Sequence, residues 1–103
     1  MTRSERWIEE RLGSAPRELL DVMRAAVRAH DLPDVPEALA AAAIALYKQV
    51  VDGAGGREDA LPLLAADALL THAFEAAAEA DPSSIGCCAQ RWGGRGGLGK
   101  VAA

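Results

Sequence analysis

Residues 61–82 read LPLLAADALLTHAFEAAAEADP, and this stretch decides the fold. It holds no glycine, its alanines and leucines are the strongest helix formers, and Asp81-Pro82 gives it a stop. Leu61, Leu64, Ala68 and His72 recur on one helical stripe, and Leu63, Asp67, Leu70 and Phe74 on another. A helix over about residues 59–80, apolar on more than one side, is the expected centre of the molecule.

Working outward, the preceding Gly53, Gly55 and Gly56 predict a loop. Before it, Asp34 and Glu37 form a capping-box pair that opens a helix to about residue 52. Leu39, Ala43, Leu46 and Val50 line one face of that helix, and Ile44, Tyr47 and Val51 an adjacent one. Pro33 and Pro36 separate it from a helix that carries Leu19, Leu20, Met23, Val27 and His30, with Ser14 as its expected cap and Pro16 in its first turn. Thr2 with Glu5 opens the first helix, which ends near Leu12, and Gly13 is expected to close it in the left-handed conformation. Ile85, Cys88 and Trp92 predict a short last helix, after which GGRGGLGKVAA reads as a flexible tail unless something orders it. The expected fold is therefore all-α, a single small bundle of four to five helices over residues 1–92 with a Gly-rich C-terminal tail over 93–103.

Composition agrees. Among 103 residues, 23 are alanine and only four are aromatic, which favours packed helices over sheets. The formal net charge is −4, unevenly spread. Residues 31–83 hold two basic side chains against ten acids, so a nucleic-acid partner is not expected. The longest uncharged apolar run, residues 38–47, is mostly alanine and short of a bilayer span, so no integral membrane segment is expected. The opening MTRSERWIEERL has acids and no apolar core of a signal peptide, which makes the cytoplasm the expected compartment.

Chemistry-bearing residues are few. Cys87 and Cys88 are adjacent, a spacing that strains a disulfide, and a metal would need two more donors. His30 and His72 lie on apolar stripes of different helices, the pattern of hydrogen-bonded core histidines. Ser14, Ser83 and Ser84 read as caps, and the acid pairs Glu9-Glu10 and Glu58-Asp59 diverge by about 100° on a helix. No catalytic residues, metal or cofactor are therefore expected. Asp67 stands out: on the stripe of Leu63, Leu70 and Phe74 its carboxylate would face packed surface and need a partner, Arg24 or Arg28, or serve as a polar anchor at an interface.

Residues 65–71 (AADALLT) with Ala73-Phe74-Glu75 resemble a helix of the trans-polyprenyl diphosphate synthases that follows their first Asp-rich motif and reads "AILAGDALLTLAFELLA"-like. Ala66 replaces the family's glycine. Gly94-Arg95-Gly96-Gly97-Leu98 echoes the first half of the family's later "A-G-x-x-G-L-V-G-G-Q"-like stretch, and Gly99-Lys100 departs from its second half. WIEERLGSAPRELLDVMRAAV is similar to the opening helices of such enzymes. The Asp-rich motifs that bind diphosphate through Mg²⁺, and the Arg-Arg pair for the other substrate, are missing: the sequence has no Asp-Asp or Arg-Arg.

The resemblance thus implies a non-catalytic small subunit of a heterodimeric polyprenyl diphosphate synthase, influencing activity or product length of a catalytic prenyltransferase partner. Leu63, Asp67, Leu70 and Phe74 would then lie at or near the interface. The alternative is an unrelated helical adaptor that homodimerises through its apolar faces. A third class, an enzyme or metal protein using Cys87, Cys88 and a histidine, is the least expected.

Overall fold

Capping chemistry sets the first helix boundary. In the computed structural model, which describes residues 1–95 and 97–102, Thr2 accepts from the Glu5 amide at 3.0 Å and Glu5 returns a bond to the Thr2 amide at 3.2 Å. Helix α1 (Arg3–Leu12) follows from this box. Gly13 is right-handed, with φ −60°, and not left-handed as expected. Helix α2 (Arg17–Ala29) starts after Pro16, which occupies the cap position itself, and Ser14 makes no cap. Asp34 caps α3 (Val35–Val51) by accepting from the Glu37 amide. A 3₁₀ turn over Arg57–Asp59 leads into α4 (Ala60–Ala80), which Asp81 ends. Helix α5 (Ile85–Gly93) and α6 (Leu98–Ala102) complete the chain. Among the described residues every element is helical, so the fold is an all-α globule.

Helices α3 and α4 make the most extensive pairing and run antiparallel. The start of α3 (Asp34, Pro36) shares a cleft with the end of α4 (Ala77, Ala80). Gly55 turns the loop between them at φ +77°, the one positive φ among the described residues. The buried stripe of α4 is Ala65, Ala66, Leu69, Ala73, Ala76 and Ala77, and that of α3 includes Ala38, Leu39, Ala42, Ala43 and Leu46. An alanine methyl buries only about 0.8 kcal/mol of apolar surface, so these alanines act mainly by letting two backbones approach. Helices α1 and α2 add Ile8, Leu20, Met23 and Val27 to the same core.

Helix α1 is fixed by polar ties at its rim. Glu5 is nearly fully buried and receives the Arg28 guanidinium at 2.8 Å. That hydrogen bond, against the cost of burial, holds the carboxyl at about 2, below its ordinary 4.5. A depressed pKa contributes stability that is complete above about pH 4.5 and lost as pH falls toward about 2. Thermal melts between about pH 6 and about pH 2 are expected to show this loss, and Glu5→Gln to flatten it. Beside it, Ser4 is fully buried and its Oγ has no protein partner among the described residues. Ser4→Ala is expected to raise the unfolding free energy by about 1 kcal/mol in urea titrations, by removing a desolvated hydroxyl.

Two further observations concern the C-terminal segment and the central helix. Within the expected Gly-rich tail, the described residues turn through Gly94 and Gly97 and form α6 against α3 and α5. Gly97 makes this possible, because a Cβ there would sit 2.1 Å from the Trp92 carbonyl oxygen. Gly96 and Ala103, part of the same expected tail, lie outside the described residues. The span Arg57–Ala80 reaches a mean hydropathy of 1.2 over 18 residues, long and apolar enough by length and composition alone to cross a membrane, a property that the core helix of a folded bundle shares. Its leucines contribute more of that apolarity than the buried alanines do, and Leu63 and Leu64 among them are exposed.

Candidate functional site

The residues singled out on α4 do share one stripe, which runs along the seam with α3 from exposed Leu63 and Asp67 to half-buried Leu70 and Phe74. Asp67 is exposed, which corrects the expectation that its carboxylate faces packed surface. The reason is that the close α3–α4 pairing buries the alanine stripe, roughly one residue around the helix from Asp67. Its partner is neither arginine: Arg24 pairs with Glu9 at 2.9 Å and Arg28 with Glu5. Instead the Tyr47 phenol of α3 donates to the Asp67 carboxylate. Burial, and then the Asp67 charge, push the Tyr47 hydroxyl well above its ordinary pKa, so it stays a donor. Thr71 donates back to the Asp67 carbonyl at 2.8 Å.

The Tyr47–Asp67 contact sets the register of the seam. One turn toward the connecting loop stand Val51 on α3 and Leu63 on α4, 60% and 41% exposed, and Leu64 beside them is 55% exposed. One turn the other way stand half-buried Leu70 and, on α3, half-buried Ile44. Beyond them α5 closes the seam: Trp92 meets Phe74 edge-on with ring centroids 4.9 Å apart, and shares a cleft with Ile44. The seam is thus covered at one end by α5 and open at the other. Leu63, Asp67 and Leu70 lie in the open half, and Phe74 at the boundary.

A second cluster holds α5 in place, and sequence reasoning missed it. Glu37 does not complete a capping box on α3. One of its oxygens accepts from the Arg91 guanidinium, and the other from Trp92 Nε1 at 3.2 Å. The same guanidinium lies 3.7 Å from both Cys87 and Cys88 Sγ. Cys87 is exposed, Cys88 is buried, and both are free thiols. The one available signal was an acid at the third position of a helix without a reciprocal bond, which sequence cannot reveal.

His72 is half-buried, with Nδ1 2.9 Å from Glu75 and its ring edge-on to Trp7. His30, at the C-cap of α2, is half-buried on two open clefts of about 390 and 370 Å³ that also share Ala45. Neither histidine is a fully buried core residue. Among the described residues no three His, Cys, Asp or Glu side chains cluster in a way that could hold a metal ion.

What the open seam offers chemically is recognition: apolar area around a carboxylate oriented by a phenol. No known protein family, curated protein or solved structure matches this chain.

Proposed function

We propose that the chain is a non-catalytic helical interaction subunit that docks on a larger protein through the open half of the α3–α4 seam. One observation carries this reading. Of the five large apolar side chains exposed among the described residues, three (Val51, Leu63 and Leu64) stand at one end of a single helix pair. Scattered exposed leucines need no explanation, but a cluster beside an ordered polar pair is the usual form of a protein interface. Leu63, Asp67, Leu70 and Phe74 are the proposed interface residues.

The partner that the α4 residues suggest is the catalytic subunit of a polyprenyl diphosphate synthase, in the cytoplasm, with this chain influencing its activity or product length. That identity rests on the resemblance of residues 65–71 and 73–75 alone. The competing occupant of the same face is a second copy of the chain.

The test is the native mass of the purified protein, alone and co-expressed with the polyprenyl diphosphate synthase of its host. A 1:1 or 2:2 complex that Leu63→Glu dissociates supports the proposal, and product lengths then report its effect. A self-dimer that ignores the synthase replaces it with the homodimer reading. A monomer in both samples overturns it.

A further inference from the structure

The charges that frame the open seam specify its occupant more narrowly than its apolar content does. From α3, Tyr47 and Val51 face it, with Lys48 next to them tied to Asp52 at 2.8 Å. From the loop come Arg57, Glu58 and Asp59, the last accepting from the Gly55 amide at 2.9 Å. From α4 comes Asp67 at the centre, which accepts from Tyr47. Across residues 44–70 there are four acids against Lys48 and Arg57, and with the Lys48–Asp52 pair set aside Glu58, Asp59 and Asp67 face Arg57 alone. Tyr47 uses one acceptor site of Asp67, and an exposed carboxylate keeps others free.

Resting on the reading of this face as an interface, we infer that its partner presents a basic amphipathic helix: an apolar stripe flanked by lysine or arginine. The stripe covers Leu63 and Leu70, two turns apart on α4, and Val51 at the level of Leu63 on α3. The flanking cations meet Asp67 and the acids at the loop end, and a bidentate arginine on Asp67 is the strongest available pair. A second copy of this chain fits worse. Twofold pairing over the seam would bring Asp67, Glu58 and Asp59 against like charges, which costs affinity. Phosphate-rich surfaces, nucleic acid or anionic lipid, are repelled by the same acids.

The experiment uses the full chain and three labelled helical peptides of about 18 residues, roughly five turns. All share one leucine stripe, flanked by lysine in the first, glutamine in the second and glutamate in the third. Anisotropy titrations are expected to give binding of the lysine peptide about tenfold tighter than the glutamine peptide, falling about tenfold between about 0.05 and about 0.5 M salt. The glutamate peptide is expected not to bind. Val51→Ser with Leu63→Ser, both at exposed positions, is expected to weaken the lysine peptide at least about tenfold without lowering Tm. Asp67→Asn is expected to weaken the lysine peptide and leave the glutamine peptide unchanged.

Equal binding of all three peptides overturns the basic partner and leaves the interface reading intact. Lysine-peptide binding that ignores the serine variant overturns both. Absence of binding by any peptide, with the co-expressed complex intact, overturns the helical partner alone.

Discussion

Trp92→Ala is expected to remove about 3–5 kcal/mol from the unfolding free energy, the largest loss of any single truncation in this chain. Trp92 is 3% exposed on a helix of nine residues, and it supplies most of what holds that helix down. Its ring meets Phe74 on α4, its Nε1 donates to Glu37 on α3, and its carbonyl packs against Gly97 of the following turn. Truncation removes the ring contact, leaves one Glu37 oxygen without its donor, and opens a void under α5. A domain of this size has roughly 5–15 kcal/mol to lose, so α5 and α6 should detach or the whole chain unfold near room temperature. Urea titration, followed by circular dichroism and by the remaining Trp7, measures it. Trp92→Phe keeps the ring and loses the Nε1 bond, and should recover most of the stability. A loss below about 1 kcal/mol for the alanine variant would mean that α5 does not anchor the fold.

The second large effect runs against hydrophobicity. Ala73→Leu adds apolar atoms to a fully buried position and is expected to cost about 1–3 kcal/mol, because α3 and α4 pack without room for them. Leucine at Ala73 must push the helices apart or leave its preferred rotamer. For a chain of this length that corresponds to a fall in Tm of roughly 4–8 °C per kcal/mol. The control is Leu64→Ala on the exposed side of the same helix, which should change stability by less than about 0.5 kcal/mol. If Ala73→Leu proves neutral, the close approach of α3 and α4 is wrong.

This packing also explains which parts of the fold were legible in the sequence. Caps were: Thr2 with Glu5 and Asp34 with the Glu37 amide are local chemistry, and they fixed the starts of α1 and α3. The stop at Asp81-Pro82 is equally local. The buried face of α4 was not. A helix with alanine on every side offers two faces of similar apolarity, and the leucines and Phe74 drew attention to the wrong one. The inner face goes to alanine because two helices that nearly touch leave no space for leucine. Asp67 then falls on the outer seam, and its partner is Tyr47 from a neighbouring helix instead of an arginine from α2. The candidate interface residues were legible as a stripe; that Leu63 and Asp67 are exposed while Leu70 and Phe74 are half-buried was not. The α5 clasp was illegible for a different reason, since Glu37 and Arg91 are separated by 54 positions and no periodicity links them. In the Gly-rich segment the close approach was not legible: only a residue without Cβ lets the backbone at Gly97 pass the Trp92 carbonyl.

The Glu37 clasp has a consequence for the order of assembly. Helices α3 and α4 are joined by a short loop, so their pairing closes only a small circle of chain. The clasp closes one of 54 residues, an entropic cost that must be met before its bonds form. Both Glu37 oxygens also belong to α3, and they are positioned only once the first turn of that helix exists. Docking of α5 therefore belongs to the late side of the folding barrier, and α6, which turns over the Trp92 carbonyl, follows it. On this ordering the α3–α4 seam forms before Trp92 covers its Phe74 end.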